Sequence, residues 1–165
     1  MGEIIQQQDT RREFVNTLSE LAKTDDKIIV LIPDVGFNYL SDPNLPFKVI
    51  NLGVTEQATT MIAVGLALSG FKVYVYSMIN FVLFRPYEMV RNGIVNHHAN
   101  VKLLGVKGSS SYKFLGFSHN MTTDHEDTDT CDLLGLKWYV PKDNEGVKQA
   151  VLDSYKDDTA CYIRL

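Results

Sequence analysis

The chain has 165 residues, of which 45% are hydrophobic, 22% charged and 10% aromatic, a length and balance that suit one domain with a real core. That composition excludes a disordered, fibrous or disulfide-stapled protein. The formal net charge is -4 and no Lys/Arg run is present, so no nucleic-acid partner is expected.

Taken in chain order, "MGEIIQQQDTRREF" lacks the apolar core of a signal peptide. "DTRREFVNTLSELAKTD" then predicts a helix, with Thr10 three residues before Glu13 as a capping box and Phe14, Leu18 and Leu21 on one stripe. "KIIVLI", closed by Pro33 and Gly36, reads as a buried strand, and "FKVINL" as a second, shorter one. "TEQATTMIAVGLALSG" is a helix that is apolar nearly all round and ends at Gly70. "KVYVYS" is a strand, and "RPYEMVRNGIVNHHA" a helix with Pro86 near its first turn. "VKLLGV" is a strand, and residues 107–129 read as one long loop. "LKWYV", "DNEGVKQAVLDSYK" and "ACYIRL" complete the pattern as strand, helix and strand. The expected fold class is therefore α/β. It is a three-layer sandwich with a mostly parallel sheet of about six strands and helices on both faces, built as a single domain over residues 1–165.

No apolar run is long enough to span a bilayer, so no membrane partner is expected. Cys131 and Cys161 have no metal-site spacing, and a reducing cytoplasm is their simplest home. Motifs for a P-loop, a dinucleotide fold or a nucleophile elbow are lacking.

Glu56 stands at the head of the most apolar helix. It is there either as a first-turn anion favoured by the helix dipole, or as a partly desolvated carboxylate whose balance a ligand's basic nitrogen would settle. In "SMINFVLFRPYEMVRN", Phe81, Phe84 and Tyr87 recur every three residues. That spacing fits a core stripe, and Phe81 at a strand's carboxyl end could also stack on a planar ligand. In "LGFSHNMTTDHED", His119 sits between small and apolar residues and could donate to a substrate oxygen. The neighbouring Asp124, His125, Glu126 and Asp127 read as solvated loop charge, since their spacing fits no metal motif. The consecutive pair His97–His98 points in divergent directions on its helix and carries no assigned role.

Three of these stretches, "NLGVTEQATTMIAVGLALSGFKVYVYS", "FRPYEMVRN" and "LGFSHN", resemble the transketolase-type pyrimidine-binding domain of thiamine-diphosphate enzymes. The first helix and the last strand fit as well, so the resemblance covers almost the whole chain. It implies that Glu56 bonds the aminopyrimidine ring of thiamine diphosphate and shares a proton with it. It also implies that Phe81 stacks on that ring, with Phe84 and Tyr87 as weaker matches. His119 would face the sugars, and Asp34 would fall at an acidic position near the cofactor. The family's Gly-Asp-Gly…Asn magnesium motif is not found, and the likeness stops at "YIRL", where the family's third domain would begin.

The expectation is thus one domain of three. A separate diphosphate-binding subunit would hold the magnesium, in a homodimer or heterotetramer. The activity implied is ketol transfer between sugars or sugar derivatives. A decarboxylase or deoxyxylulose-phosphate-synthase-type subunit, or a non-catalytic interaction domain, is the alternative. After "SHN" the chain departs from the family pattern, lacking its Arg and Pro, which bears on substrate choice.

Overall fold

In the computed structural model, six strands run the same way in one sheet. They are β1 (Ile28–Ile32), β2 (Lys48–Asn51), β3 (Lys72–Met78), β4 (Val101–Val106), β5 (Lys137–Tyr139) and β6 (Cys161–Arg164), in the spatial order β2-β1-β3-β4-β6-β5. The structure describes residues 9–33, 39–108 and 110–165, without the side chains of residues 110–112. All five residues of β1 are buried, as a strand covered on both faces requires.

The two-residue period of the strands divides the core. Val30, Tyr74, Tyr76 and Ile163 face α1 (Thr10–Ala22) and α5 (Asn144–Lys156), which pack on one side. Leu31, Val75, Leu103 and Tyr162 face the other side, where α2 (Glu56–Leu68) and α4 (Glu126–Leu134) cover the sheet. A helical run from Asn80 to Val95 shares that side, with the short α3 (Tyr87–Met89) at its centre. The α/β three-layer sandwich expected from the sequence is the fold observed.

Three local readings are revised. The first helix is capped by Asp9, whose carboxylate accepts from Arg12 N–H at 3.2 Å, and Thr10 is its first helical residue. The run around Pro86 starts six residues before the proline. Pro86 has no N–H to continue regular bonding, and the chain widens into a π turn over Asn80–Phe84, closed by Arg85 N–H to Asn80 O at 2.8 Å. The segment expected as one long loop contains 3-10 turns (Ser110–Ser118) and the start of α4 (Glu126–Leu134). On α2, apolar nearly all round as expected, Met61, Ile62 and Leu68 lie open on the outer side.

Gly105, on β4, is required by close approach rather than by backbone angle. A Cβ there would lie 2.6 Å from both Cε2 and the hydroxyl of Tyr162, and 2.9 Å from Ile79 Cγ1. Gly105→Ala is expected to cost about 1–3 kcal/mol through this overpacking. A lower urea midpoint with an unchanged slope would be its signature; an unmoved midpoint would show that the Tyr162 ring yields freely.

Candidate active site

In a parallel sheet, side chains gather beyond the strands' carboxyl ends, most readily where the strand order reverses. Here that point lies between β1 and β3, since the chain steps outward to β2 and returns on the other flank of β1. The connections after β2, β3 and β4 all open at this edge.

The turn after β2 delivers Glu56. Asn51 Oδ1 accepts from Gly53 N–H at 2.9 Å, and Leu52 N–H donates to Ile32 O at 2.9 Å, pinning the turn to β1. Gly53 adopts φ 70°, a left-handed angle that disfavours side chains. Thr55 takes the cap position, yet its hydroxyl turns back to Leu52 O at 2.9 Å and leaves the helix end uncapped by a side chain. Glu56 is then the first residue of α2 and is 5% exposed. Its carboxylate sits in the positive field of the helix start, and Oε1 accepts from Arg85 Nη1. Glu56 is thus a first-turn anion whose buried carboxylate is met, within the chain, by the Arg85 guanidinium.

The π turn after β3 delivers Phe81 and Arg85. The Arg85 guanidinium lies over the Phe81 ring, 4.2 Å from its centroid, so one cation joins the carboxylate to the aromatic. Phe81 also meets the His119 imidazole edge-on, with ring centroids 5.0 Å apart. His119 Nδ1 pairs with Ser118 Oγ at 2.7 Å. Asn80 fixes this neighbourhood: its side-chain amide donates to Phe117 O at 3.0 Å and Asn120 O at 3.4 Å, fastening the histidine segment beside Phe81. The structure thus joins Glu56, Arg85, Phe81 and His119 in one line of contacts.

Phe84 and Tyr87 are half-buried and pack against the core beneath α2. Asp34 lies outside the described residues. Sequence reasoning misses Arg85 and Asn80. Their only signal is position, since each flanks the aromatic run.

Asp127 is a third omission and corrects the reading of solvated loop charge. It is wholly buried, accepts from Arg164 Nε at 2.8 Å and Tyr162 hydroxyl at 2.6 Å, and also pairs with Arg164 Nη2. Arg164 Nη2 further donates to Asp124 O at 2.9 Å, so the buried pair holds the segment that follows His119. Asp127 pushes the Arg164 guanidinium upward in pKa, while burial, reinforced by the Asp127 charge, pushes the Tyr162 phenol well up. Asp124, in contrast, is exposed, and its hydrogen bond from Lys107 holds its carboxyl below the ordinary value.

The cysteines supply no nucleophile. Burial pushes Cys131 up to about 12 and Cys161 up to about 11, so both remain thiols at neutral pH. Among the described residues, no group of three His, Cys, Asp or Glu side chains stands close enough to hold a metal ion. Clefts of about 270 and about 540 Å³ open elsewhere, one by His98 and Lys137 near the strands' amino ends and one between α1 and α5. Among the described residues, the Glu56 site itself is an open edge, with the Arg85 side chain 39% exposed at its rim.

A family model described as "Transketolase, pyrimidine binding domain" matches residues 6–165. The chain belongs to the transketolase pyrimidine-binding domain family. The resemblance read from the GVTEQ, FRPYE and GFSHN stretches is borne out. This pyrimidine-binding domain is 37% identical over 117 residues to an apulose-4-phosphate transketolase subunit of Phocaeicola vulgatus, covering 69% of this chain and 38% of that protein. It is 27% identical to a 6-deoxy-6-sulfo-D-fructose transketolase subunit of a Clostridium species, covering 94% of this chain and 48% of that one. Among solved structures it is similar to a "split gene transketolase, inactive beta4 tetramer", with a TM-score of 0.79, 26% identity, and coverage of 94% of this chain and 50% of the other. The chain therefore spans half or less of the length of each of these relatives. No helix among the described residues is long and apolar enough to cross a membrane.

The residues present fit the ring end of the family's cofactor. A flat, basic aminopyrimidine needs a desolvated carboxylate and an aromatic face, and Glu56 and Phe81 supply both within reach of one planar group, as the position of Arg85 demonstrates.

Proposed function

We propose that this chain is the pyrimidine-binding subunit of a split, thiamine-diphosphate-dependent, transketolase-like enzyme of the cytoplasm that transfers a ketol unit between sugars or sugar derivatives. The observation that carries this reading is the Glu56 carboxylate, buried at the head of α2 and joined through one planar cation to the face of Phe81. When bound, thiamine diphosphate supplies the centre that holds the carbanion, a task side chains do not perform.

Glu56 holds and returns a proton at the ring nitrogen of the pyrimidine. Phe81 offers that ring a flat apolar face, and Phe84 and Tyr87 support the turn from the core side. His119, packed edge-on against Phe81, is assigned to donate to a sugar oxygen. Asp34 is assigned to the family's acidic position near the cofactor.

The diphosphate end and its magnesium fall to a separate subunit carrying the diphosphate-binding domain, so this chain acts as one domain of the assembled site. The open edge at Glu56 supports that division. So do exposed apolar side chains: Val54 just before Glu56, Leu68 at the far end of α2, and Phe114 and Phe117, each 81% exposed, in the segment leading to His119. A homodimer or heterotetramer would cover them. The names of the two relatives given above, each a transketolase subunit acting on a modified or phosphorylated ketose, support a sugar derivative as substrate.

Mixing the chain with a diphosphate-binding subunit, magnesium and thiamine diphosphate tests the reading. Ketol transfer from a ketose phosphate to an aldose phosphate is expected in the mixture and in neither component alone. A mixture that assembles and binds the cofactor, yet only decarboxylates pyruvate or condenses it with an aldose, would contradict the assignment.

A further inference from the structure

The reading above gives Arg85 no role of its own, although it touches both residues assigned to the ring. Its guanidinium is planar and cationic, bonds Glu56 Oε1, and lies over Phe81 at 4.2 Å from the centroid. A carboxylate on one edge and an aromatic face on the other are also what an aminopyrimidine ring would use. The two occupants ask for the same atoms.

We propose that Arg85 competes with the pyrimidine ring for Glu56 and Phe81, and that the ring binds by displacing its guanidinium toward solvent. This inference rests on the proposed function.

Three observations carry it. First, Glu56 is buried and Arg85 is not: the arginine side chain is 39% exposed, so it has an outward path that the carboxylate lacks. Second, the π turn ends at Arg85, and Pro86 takes φ -91° and ψ 24°, outside helical values; the guanidinium therefore hangs from a break in the helix rather than from its rigid interior. Third, a fixed cation on a carboxyl opposes that group's sharing a proton with a ring nitrogen. Both cannot be served at once. Arg85 is therefore a positioning residue: paired, it neutralises a buried charge and keeps the carboxyl aimed at the site edge; displaced, it leaves that carboxyl to the ring.

The apparent dissociation constant of a ligand rises in inverse proportion to the fraction of protein competent to bind it. If the Arg85 pair is made nine-tenths of the time, abolishing it tightens binding about tenfold. The test is calorimetric titration of thiamine diphosphate, with magnesium, into the assembled pair of subunits carrying wild-type chain, Arg85→Met or Glu56→Gln. Alongside it, the thermal midpoint of each isolated chain is measured. Arg85→Met is expected to tighten cofactor binding about three- to tenfold and to lower the midpoint of the isolated chain. Glu56→Gln is expected to weaken binding.

Unchanged or weaker binding in Arg85→Met, with Glu56→Gln still weakened, would overturn the competition and leave the proposed function standing. If the wild-type pair assembles but takes up no cofactor, the proposed function fails and the competition with it.

Discussion

Replacing Glu56 with glutamine is expected to cut turnover of the assembled enzyme by about 100- to 10,000-fold while leaving the chain folded, the range that loss of a positioned proton-transfer group commonly brings. Glutamine keeps the shape and one carbonyl oxygen, so the turn at Gly53 and the packing of α2 need not change. It can accept a hydrogen bond from Arg85, which keeps the local contact, but it cannot give a proton to a ring nitrogen or take one back. The loss should therefore fall mainly on kcat, with a smaller change in cofactor affinity. Steady-state kinetics at saturating cofactor would measure it, with circular dichroism confirming the fold. A variant that binds cofactor and turns over at the wild-type rate would remove Glu56 from the reaction.

Asp127→Ala is expected to destabilise the chain by about 3–5 kcal/mol, the usual consequence of leaving one partner of a buried ion pair unpaired. Asp127 is wholly buried and Arg164 15% exposed, so the stranded guanidinium would have little access to water. The Tyr162 hydroxyl would lose its acceptor in the same stroke. Such a loss is a large share of a domain's total stability. Urea unfolding would read it directly, and Asp127→Asn should cost less, because the amide still accepts from Tyr162. By contrast, the exposed pair of Lys23 with Glu20 is expected to matter little when either is removed. Equal midpoints for wild type and Asp127→Ala would mean that the pair contributes nothing beyond what water supplies. Because Arg164 also holds Asp124 O, the alanine variant should loosen the His119 segment before the whole chain unfolds.

Much of this architecture is legible in the strands alone. "IIVLI" and "KVYVYS" are apolar on both faces, which only a sheet covered twice can use, and the helices between them fix the parallel sense. Glu56 is visible because a charge at the head of an apolar helix has few explanations. What escapes reading depends on contacts distant in sequence. Arg85 lies 29 residues from Glu56 and Asp127 lies 37 from Arg164, and no local pattern encodes either pairing. The acidic run at 124–127 looks uniformly solvated, because nothing in its composition marks the one carboxylate that turns inward. The π turn is hidden for a different reason. Pro86 reads as a helix start, yet its missing N–H widens the turn before it instead of beginning a new one. The composition of α2 marks it as apolar nearly all round but does not tell which side faces the sheet, and Met61, Ile62 and Leu68 lie on the open side.

The central claim is that the Glu56 carboxyl meets the pyrimidine ring. A crystal structure of the assembled subunits with thiamine diphosphate tests it most directly. The account predicts a ring nitrogen about 2.6–3.2 Å from a Glu56 carboxyl oxygen, with the ring face against Phe81. A cofactor ring bound away from Glu56 and Phe81, with that carboxyl still engaged only by Arg85, would contradict it.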